Sequence, residues 1–212
     1  MTGLTLTIGD KNLSSWSLRP WLLLKQAAIP FTETTIRLDR PETRKTLNEL
    51  SPSGLVPFLN HGDLDIWDSL AISEYLNDLF PEKQLWPANP EARAIARSVT
   101  AEMHSGFSAL RTVWPMNFTR SGLRHLTTGG VQRDIDRINA LWTECRTRFG
   151  ESGPFLFGGF SIADAFYAPV VSRFTTYGPV ALSEPAADYM ETILALPAMR
   201  EWGEGAAAEL GV

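Results

Sequence analysis

Leu4-Thr-Leu-Thr-Ile8 alternates apolar and polar positions with a period of two, the pattern of a strand with one buried face, and Gly9-Asp10 ends it. From Trp16 to Ala28 the apolar positions fall at helical spacing until Ile29-Pro30 stops them. Phe31 to Leu38, rich in Thr and Ile, predicts a second strand. Pro41 to Leu50 predicts a short helix, since proline suits a first helical position whose N–H needs no partner. Two short strands, Val56 to Asn60 and Leu64 to Trp67, flank a turn at His61-Gly-Asp63. Ser69 to Leu79 then predicts an amphipathic helix with Ser69 as its N-cap. The order is βαβαββα. A parallel pair joined by a helix, followed by a hairpin and a last helix, makes a four-stranded α/β unit.

After Leu79 the pattern changes. Pro81, Pro87 and Pro90 predict a linker that is not helical. Beyond it the period is helical throughout. Asn89 caps and Pro90 opens a helix that continues through Ala94, Ala101 and Phe107. Gly129-Gly130 precedes a helix to about Phe149, and Gly150 to Gly159 is a loop. Ser161 starts a helix to Tyr177, and Pro185 and Pro197 punctuate two short final helices. The expected organisation is an α/β domain over residues 1–80, a linker over 81–90 and an all-α domain over 91–212.

Composition narrows the function classes. With 44% hydrophobic and 20% charged residues the chain is an ordinary globular one. Nineteen Lys and Arg against 24 Asp and Glu give a net charge of −5, with no basic run, which argues against nucleic acid as a partner. A single cysteine, Cys145, permits no internal disulfide and fits a reducing compartment. Met1 to Asp10 lacks the basic and apolar segments of a secretion signal, and no apolar run approaches the roughly 18 residues that span a bilayer. The expectation is a cytoplasmic protein without a membrane partner.

Candidate chemistry gathers in three places. Asn12-Leu-Ser14-Ser15-Trp16-Ser17-Leu-Arg19-Pro20 joins the first strand to the first helix. Proline is tolerated without loss only in a first turn, so Ser17 as N-cap costs no hydrogen bond, whereas Ser15 as cap loses one. Ser14 and Ser15 then stand before the positive end of a helix dipole, a site for an anion such as a thiolate; the same serines also make ordinary caps. In Ser51-Pro-Ser-Gly-Leu-Val-Pro57, the proline either starts an edge strand or forms a cis turn that leaves the Val56 backbone free to bind a peptide. Asp68-Ser69 opens the third helix.

Other features carry less. Ser161-Ile-Ala-Asp164 has capping-box spacing behind Phe160 and reads as a folding element. His61, His104 and His125 are scattered, so a metal site is not expected. The glycine pairs lack the pattern of a phosphate loop, and no Gly-x-Ser-x-Gly elbow is present.

Taken in order, the junction serines, the Val56-Pro57 loop, the Asp68-Ser69 pair and the Ser161–Asp164 box resemble a cytosolic glutathione S-transferase over nearly the whole chain. The spacing from Ser14 to Arg19 is similar to the zeta class within the serine-type theta- and zeta-like branch. That class carries Cys where this chain has Trp16, which argues against its isomerase activity. The resemblance implies a thioredoxin-like N-terminal domain, glutathione as co-substrate, no metal, and a homodimer. Ser14 would activate the thiol, with Ser15 second and Ser17 third as the cap. A free thiol has a pKa of about 8.5, and lowering it by about two units requires roughly 2.7 kcal/mol. One hydrogen bond to a charged group and a helix dipole together supply about that much. Val56, beside Pro57, would pair with the cysteinyl backbone. Asp68 would hold the γ-glutamyl amine and Ser69 its carboxylate.

The electrophile, small and hydrophobic, would lie between the domains against Trp16, Phe107, Trp114 and Arg173, on a helical stripe that includes Met103, Leu110 and Phe118 and that also reads as simple core. Arg173 either faces this site or, the reading slightly favoured, forms a salt bridge to a helix carboxylate. Rival readings are a noncatalytic binding module on this fold, and a glutathione-dependent isomerase or peroxidase. A disulfide reductase needs a nucleophilic cysteine near the first helix, and Cys145 lies far from it.

Overall fold

A computed structural model describes residues 3–123 and 127–211 of the chain. The α/β part contains β1 (Leu4–Gly9), α1 (Ser15–Gln26), β2 (Phe31–Ile36), α2 (Thr43–Leu50), β3 (Phe58–His61), β4 (Leu64–Trp67) and α3 (Ser69–Leu79). Its sheet has the order β2-β1-β3-β4. The β1–β2 pair is parallel, as the intervening helix requires, and the other two pairs are antiparallel. The helical part contains α4 (Pro90–Ser105), α5 (Ser108–Val113), α6 (Gly129–Phe149), α7 (Ile162–Tyr177), α8 (Glu184–Ala195) and α9 (Pro197–Leu210). This is a thioredoxin-like α/β unit followed by a helical one.

Helix α7 is the axis of the molecule. It is buried on every side, and α1, α4 and α8 pack against it. A helix apolar all round has to be central, and the run Ala165-Phe-Tyr-Ala-Pro-Val-Val171 is of that kind. Because α1 lies directly on α7, the start of α1 faces the helical part. Trp21 and Trp202 meet edge-to-face where α9 returns to α1.

Several expected boundaries move. The segment after Leu79 was expected to be free of helix, but Pro81–Lys83 forms one 3₁₀ turn, with its proline in the first turn where no N–H is needed. Helix α4 stops at Ser105 rather than running through Phe107: Gly106 caps it, and Phe107 adopts a left-handed conformation. The stripe from Met103 to Phe118 is therefore broken into two helices and a coil. Asp68, not Ser69, is the N-cap of α3, its Oδ1 accepting from the N–H groups of Leu70 (2.8 Å) and Ala71 (3.3 Å). The Val56–Pro57 and Gly178–Pro179 bonds are cis. The β1–β3 ladder ends at Thr7 opposite Phe58, so Val56 lies outside it.

The start of α7 is held by the buried Asp164. Its Oδ2 accepts from the N–H (2.8 Å) and hydroxyl (2.9 Å) of Ser161, and its Oδ1 accepts from the Leu156 N–H (3.1 Å). Both arms of the capping box are present. Asp164→Ala strands three donors without water, and urea unfolding should show a loss of about 2–4 kcal/mol. A change below about 0.5 kcal/mol would mean that the cap does not hold this helix.

Candidate active site

The turn Asp10–Ser14 delivers the chain from β1 into α1. Ser14, rather than Ser17 or Ser15, occupies the N-cap position, its carbonyl accepting from Leu18 N–H at 3.2 Å. Pro20 consequently sits inside the helix, where it removes the bond to the Trp16 carbonyl. Ser17 is fully buried and accepts from the Gly9 N–H (3.1 Å) and from the Ser14 hydroxyl (2.7 Å). It ties the helix to the end of the strand, a tertiary bond that outweighs the capping preference.

Ser15 is placed differently. Its oxygen accepts from Arg173 Nη2 at 3.2 Å, and the residue lies on the wall of a cleft of about 460 Å³ together with Leu13, Trp16, Arg111, Met116 and Arg173. Arg173 is buried, and among the described residues no carboxylate is bonded to it, so the expected salt bridge is replaced by carbonyl and hydroxyl acceptors. Nε donates to the Trp114 carbonyl (2.8 Å) and Nη1 to the Pro169 carbonyl (3.0 Å). Burial, aided by Arg111, pushes its pKa down to about 10.

A second cavity of about 270 Å³ lies on the other side of Trp16, between Ser53, Val56, Pro57, Asp68 and Ser69. The expected peptide-binding residues thus share one wall. The Ser69 hydroxyl oxygen is buried with no hydrogen-bond partner among the described residues, a costly state for a polar atom unless a ligand completes it. Asp68 has a positive φ of 74°, which turns its carboxylate across the helix start. Its Oδ2 meets His104 Nε2 at 3.2 Å. A larger groove of about 580 Å³, between Gln84 and Ser161, holds none of these residues.

The sequence reading missed the charge of this region. Arg19 is buried, its guanidinium stacked 4.1 Å from the Trp16 ring centre and 4.8 Å from that of Phe166. Burial, then Arg173 and Arg111, push its pKa down to about 9, with Asp68 opposing. Arg111 lies 5.3 Å from the Trp16 ring centre. No sequence signal joins Arg19, His104, Arg111 and Arg173, because the helices that carry them meet only in the fold. Phe107 and Trp114 go instead to the core, where Trp114 stacks on Tyr177 with ring centres 5.3 Å apart. Met103 and Leu110 are core residues as well. Among the described residues no group of His, Cys, Asp or Glu is arranged to hold a metal, and no helix is long and apolar enough to cross a membrane. His125 lies outside the described residues.

The chain is similar to known proteins. Residues 13–79 match the family model "Glutathione S-transferase, N-terminal domain", and residues 128–202 match "Glutathione S-transferase, C-terminal domain". Glutathione S-transferase 1 of Dianthus caryophyllus is 33% identical over 176 residues, covering 79% of this chain and 76% of that protein. A probable maleylacetoacetate isomerase of Caenorhabditis elegans is 35% identical over 100 residues, covering 47% of this chain and 45% of that one. In fold, the chain is similar to a Burkholderia glutathione transferase homolog with bound glutathione, with a TM-score of 0.73 and 22% identity over 97% of this chain and 99% of that one.

Cys145 is remote from both cavities. Burial, then Glu144 and Asp164, push its thiol up to about 12. At pH 7.5 its thiolate fraction is therefore more than about a thousandfold below that of a free cysteine. Disulfide exchange with an aromatic disulfide reagent should be slower by at least that factor in the native protein and normal in denaturant. Rapid native labelling would contradict the burial.

Proposed function

The chain belongs to the glutathione S-transferase family, and on that premise we propose that it activates the glutathione thiol with a serine hydroxyl and transfers it to a small hydrophobic electrophile. The observation that carries this reading is Ser15. It faces the cleft and accepts from Arg173, so its own O–H stays available for a sulfur anion. The Ser14 hydroxyl is committed to Ser17, which puts Ser14 second for this role. Glutathione would lie along the smaller cavity, with its cysteinyl backbone on Val56, its γ-glutamyl carboxylate on Ser69 and its amine on Asp68. The orphaned Ser69 oxygen supports that placement. The thiolate would sit at the start of α1, among cations that favour its charge. Its lone pair forms the carbon–sulfur bond, the leaving group departs with its electron pair, and the thiol proton passes to solvent.

A second reading has its own support. Arg111 and Arg173 on the cleft wall suit an anionic acceptor, and one relative is named as a probable maleylacetoacetate isomerase. The same thiolate would add to a cis double bond conjugated to a carbonyl. Rotation and loss of the thiolate would then return glutathione unchanged.

The division of labour we propose gives residues 1–80 to glutathione and 91–212 to the acceptor, with 81–90 between them. A cytoplasmic homodimer completes the proposal. Leu64 (48% exposed) and Trp67 (49%) on the edge strand β4 are exposed apolar side chains that pairing would cover.

Ser15→Ala should lower kcat/KM for chlorodinitrobenzene about a hundredfold, the equivalent of one hydrogen bond to a charged group. Ser14→Ala should lower it by less. The reverse order would move the role to Ser14, and a Ser14→Ala, Ser15→Ala variant as fast as the parent would refute serine activation. Isomerisation of a cis-unsaturated dicarboxylate with glutathione regenerated, and no conjugation, would establish the second reading instead.

A further inference from the structure

His104, near the end of α4, reaches across to the N-cap of α3. Its Nε2 lies 3.2 Å from Asp68 Oδ2, and its Nδ1 lies 3.5 Å from Arg19 Nη1. The two contacts together determine where the imidazole proton sits. A guanidinium has only N–H groups and no lone pair to offer. The ring nitrogen that faces it must therefore present a lone pair, which leaves the proton on Nε2, aimed at Asp68. An imidazolium would place a second N–H against Arg19.

We propose that Arg19 and His104 are a positioning pair that presents Asp68 to the γ-glutamyl ammonium: Arg19 fixes the Nε2–H tautomer, and neutral His104 aligns the carboxylate without cancelling its charge. The inference rests on the glutathione reading above. A carboxylate paired with a permanent cation would have little charge left for an incoming ammonium. One oxygen held by helix N–H groups and the other by a neutral N–H is oriented yet still anionic.

The charged groups around His104 agree with this state. Asp68 faces it from the start of α3, Arg19 from α1, and Arg111 from α5, with Arg111 Nη1 donating to the His104 carbonyl at 3.4 Å. Trp16 meets the ring edge-on at 5.3 Å and Phe166 lies at 6.0 Å. The close contact with Asp68 favours the imidazolium, whereas burial, Arg19 and Arg111 disfavour it. The balance pushes the His104 pKa below its ordinary value. His104 is thus harder to protonate than a free histidine. Arg19 needs no carboxylate for this task, since Trp16 and Phe166 hold its guanidinium by its faces.

Nitrogen-15 NMR of the imidazole in the ligand-free protein tests the tautomer without glutathione. It should show bare Nδ1 and protonated Nε2 at pH 7 and above. A protonated Nδ1 at pH 7, as either the other tautomer or the imidazolium, would overturn the pair. Calorimetry with glutathione and with its deaminated analogue tests the role. His104→Ala should weaken glutathione about tenfold and the amine-less analogue hardly at all, while His104→Gln restores most of the loss. In Arg19→Met, with the guanidinium removed, His104 should protonate more readily, so glutathione affinity should fall several-fold between about pH 8 and 6. Adding His104→Gln should abolish that dependence. Equal loss for both ligands in His104→Ala would overturn the positioning role alone. No glutathione binding by the parent protein would overturn the functional reading, and the role of the pair with it.

Discussion

A guanidinium taken out of water without a carboxylate has to be surrounded by oxygen acceptors, and Arg173 finds them on separate parts of the chain. The Trp114 carbonyl ends α5, the Pro169 carbonyl belongs to α7, and Ser15 opens α1. Leaving such a cation unpaired costs several kcal/mol, so each acceptor is held where the guanidinium needs it. This constraint fixes the first turn of α1 against the helical part and turns the Ser15 hydroxyl toward the cleft. Ser14 and Ser17 are held just as firmly to each other and to β1. Two serines thus serve the fold, and one is left facing solvent-accessible space.

The electrostatics extend from that point. Arg19 and Arg111 stand against Trp16, which lines both cavities, and Arg173 lies on the wall of the cleft beside Ser15, with Asp68 acting on both Arg19 and His104. A region so rich in buried cations favours an anion at the start of α1 over a neutral thiol. Burial, with Arg19 and Arg111, also makes the histidine beside Asp68 harder to protonate. The cleft is apolar at Leu13, Trp16 and Met116 and cationic at Arg111 and Arg173, which suits an acceptor with both characters.

The order of elements was legible because local periodicity and turn residues decide it: alternation in β1, the prolines after Leu79, and the Ser161–Asp164 box. The gathering of Val56, Pro57, Asp68 and Ser69 at one cavity followed the order of motifs. Three features depended on tertiary contacts that no local window contains. Pro20 favoured Ser17 as the cap of α1, but the Gly9 N–H claims the Ser17 oxygen, and the cap falls to Ser14. Asp68 and Ser69 are both good caps, and the one that caps, Asp68, is also the one whose carboxylate meets His104 from α4. Arg19 and His104 are 85 residues apart and meet because α1 and α4 both pack on α7. In the sequence Arg19 stands out only for its spacing from Ser14, and His104 only as an isolated histidine, so neither points to the site.

The central claim is that the start of α1 lowers the pKa of a bound thiol. The most direct measurement is an ultraviolet titration of the thiolate band of protein-bound glutathione, with S-methylglutathione as the blank. The account predicts a midpoint about two units below that of free glutathione, moving back toward the free value in Ser15→Ala. A midpoint equal to that of free glutathione in the unaltered protein would contradict it.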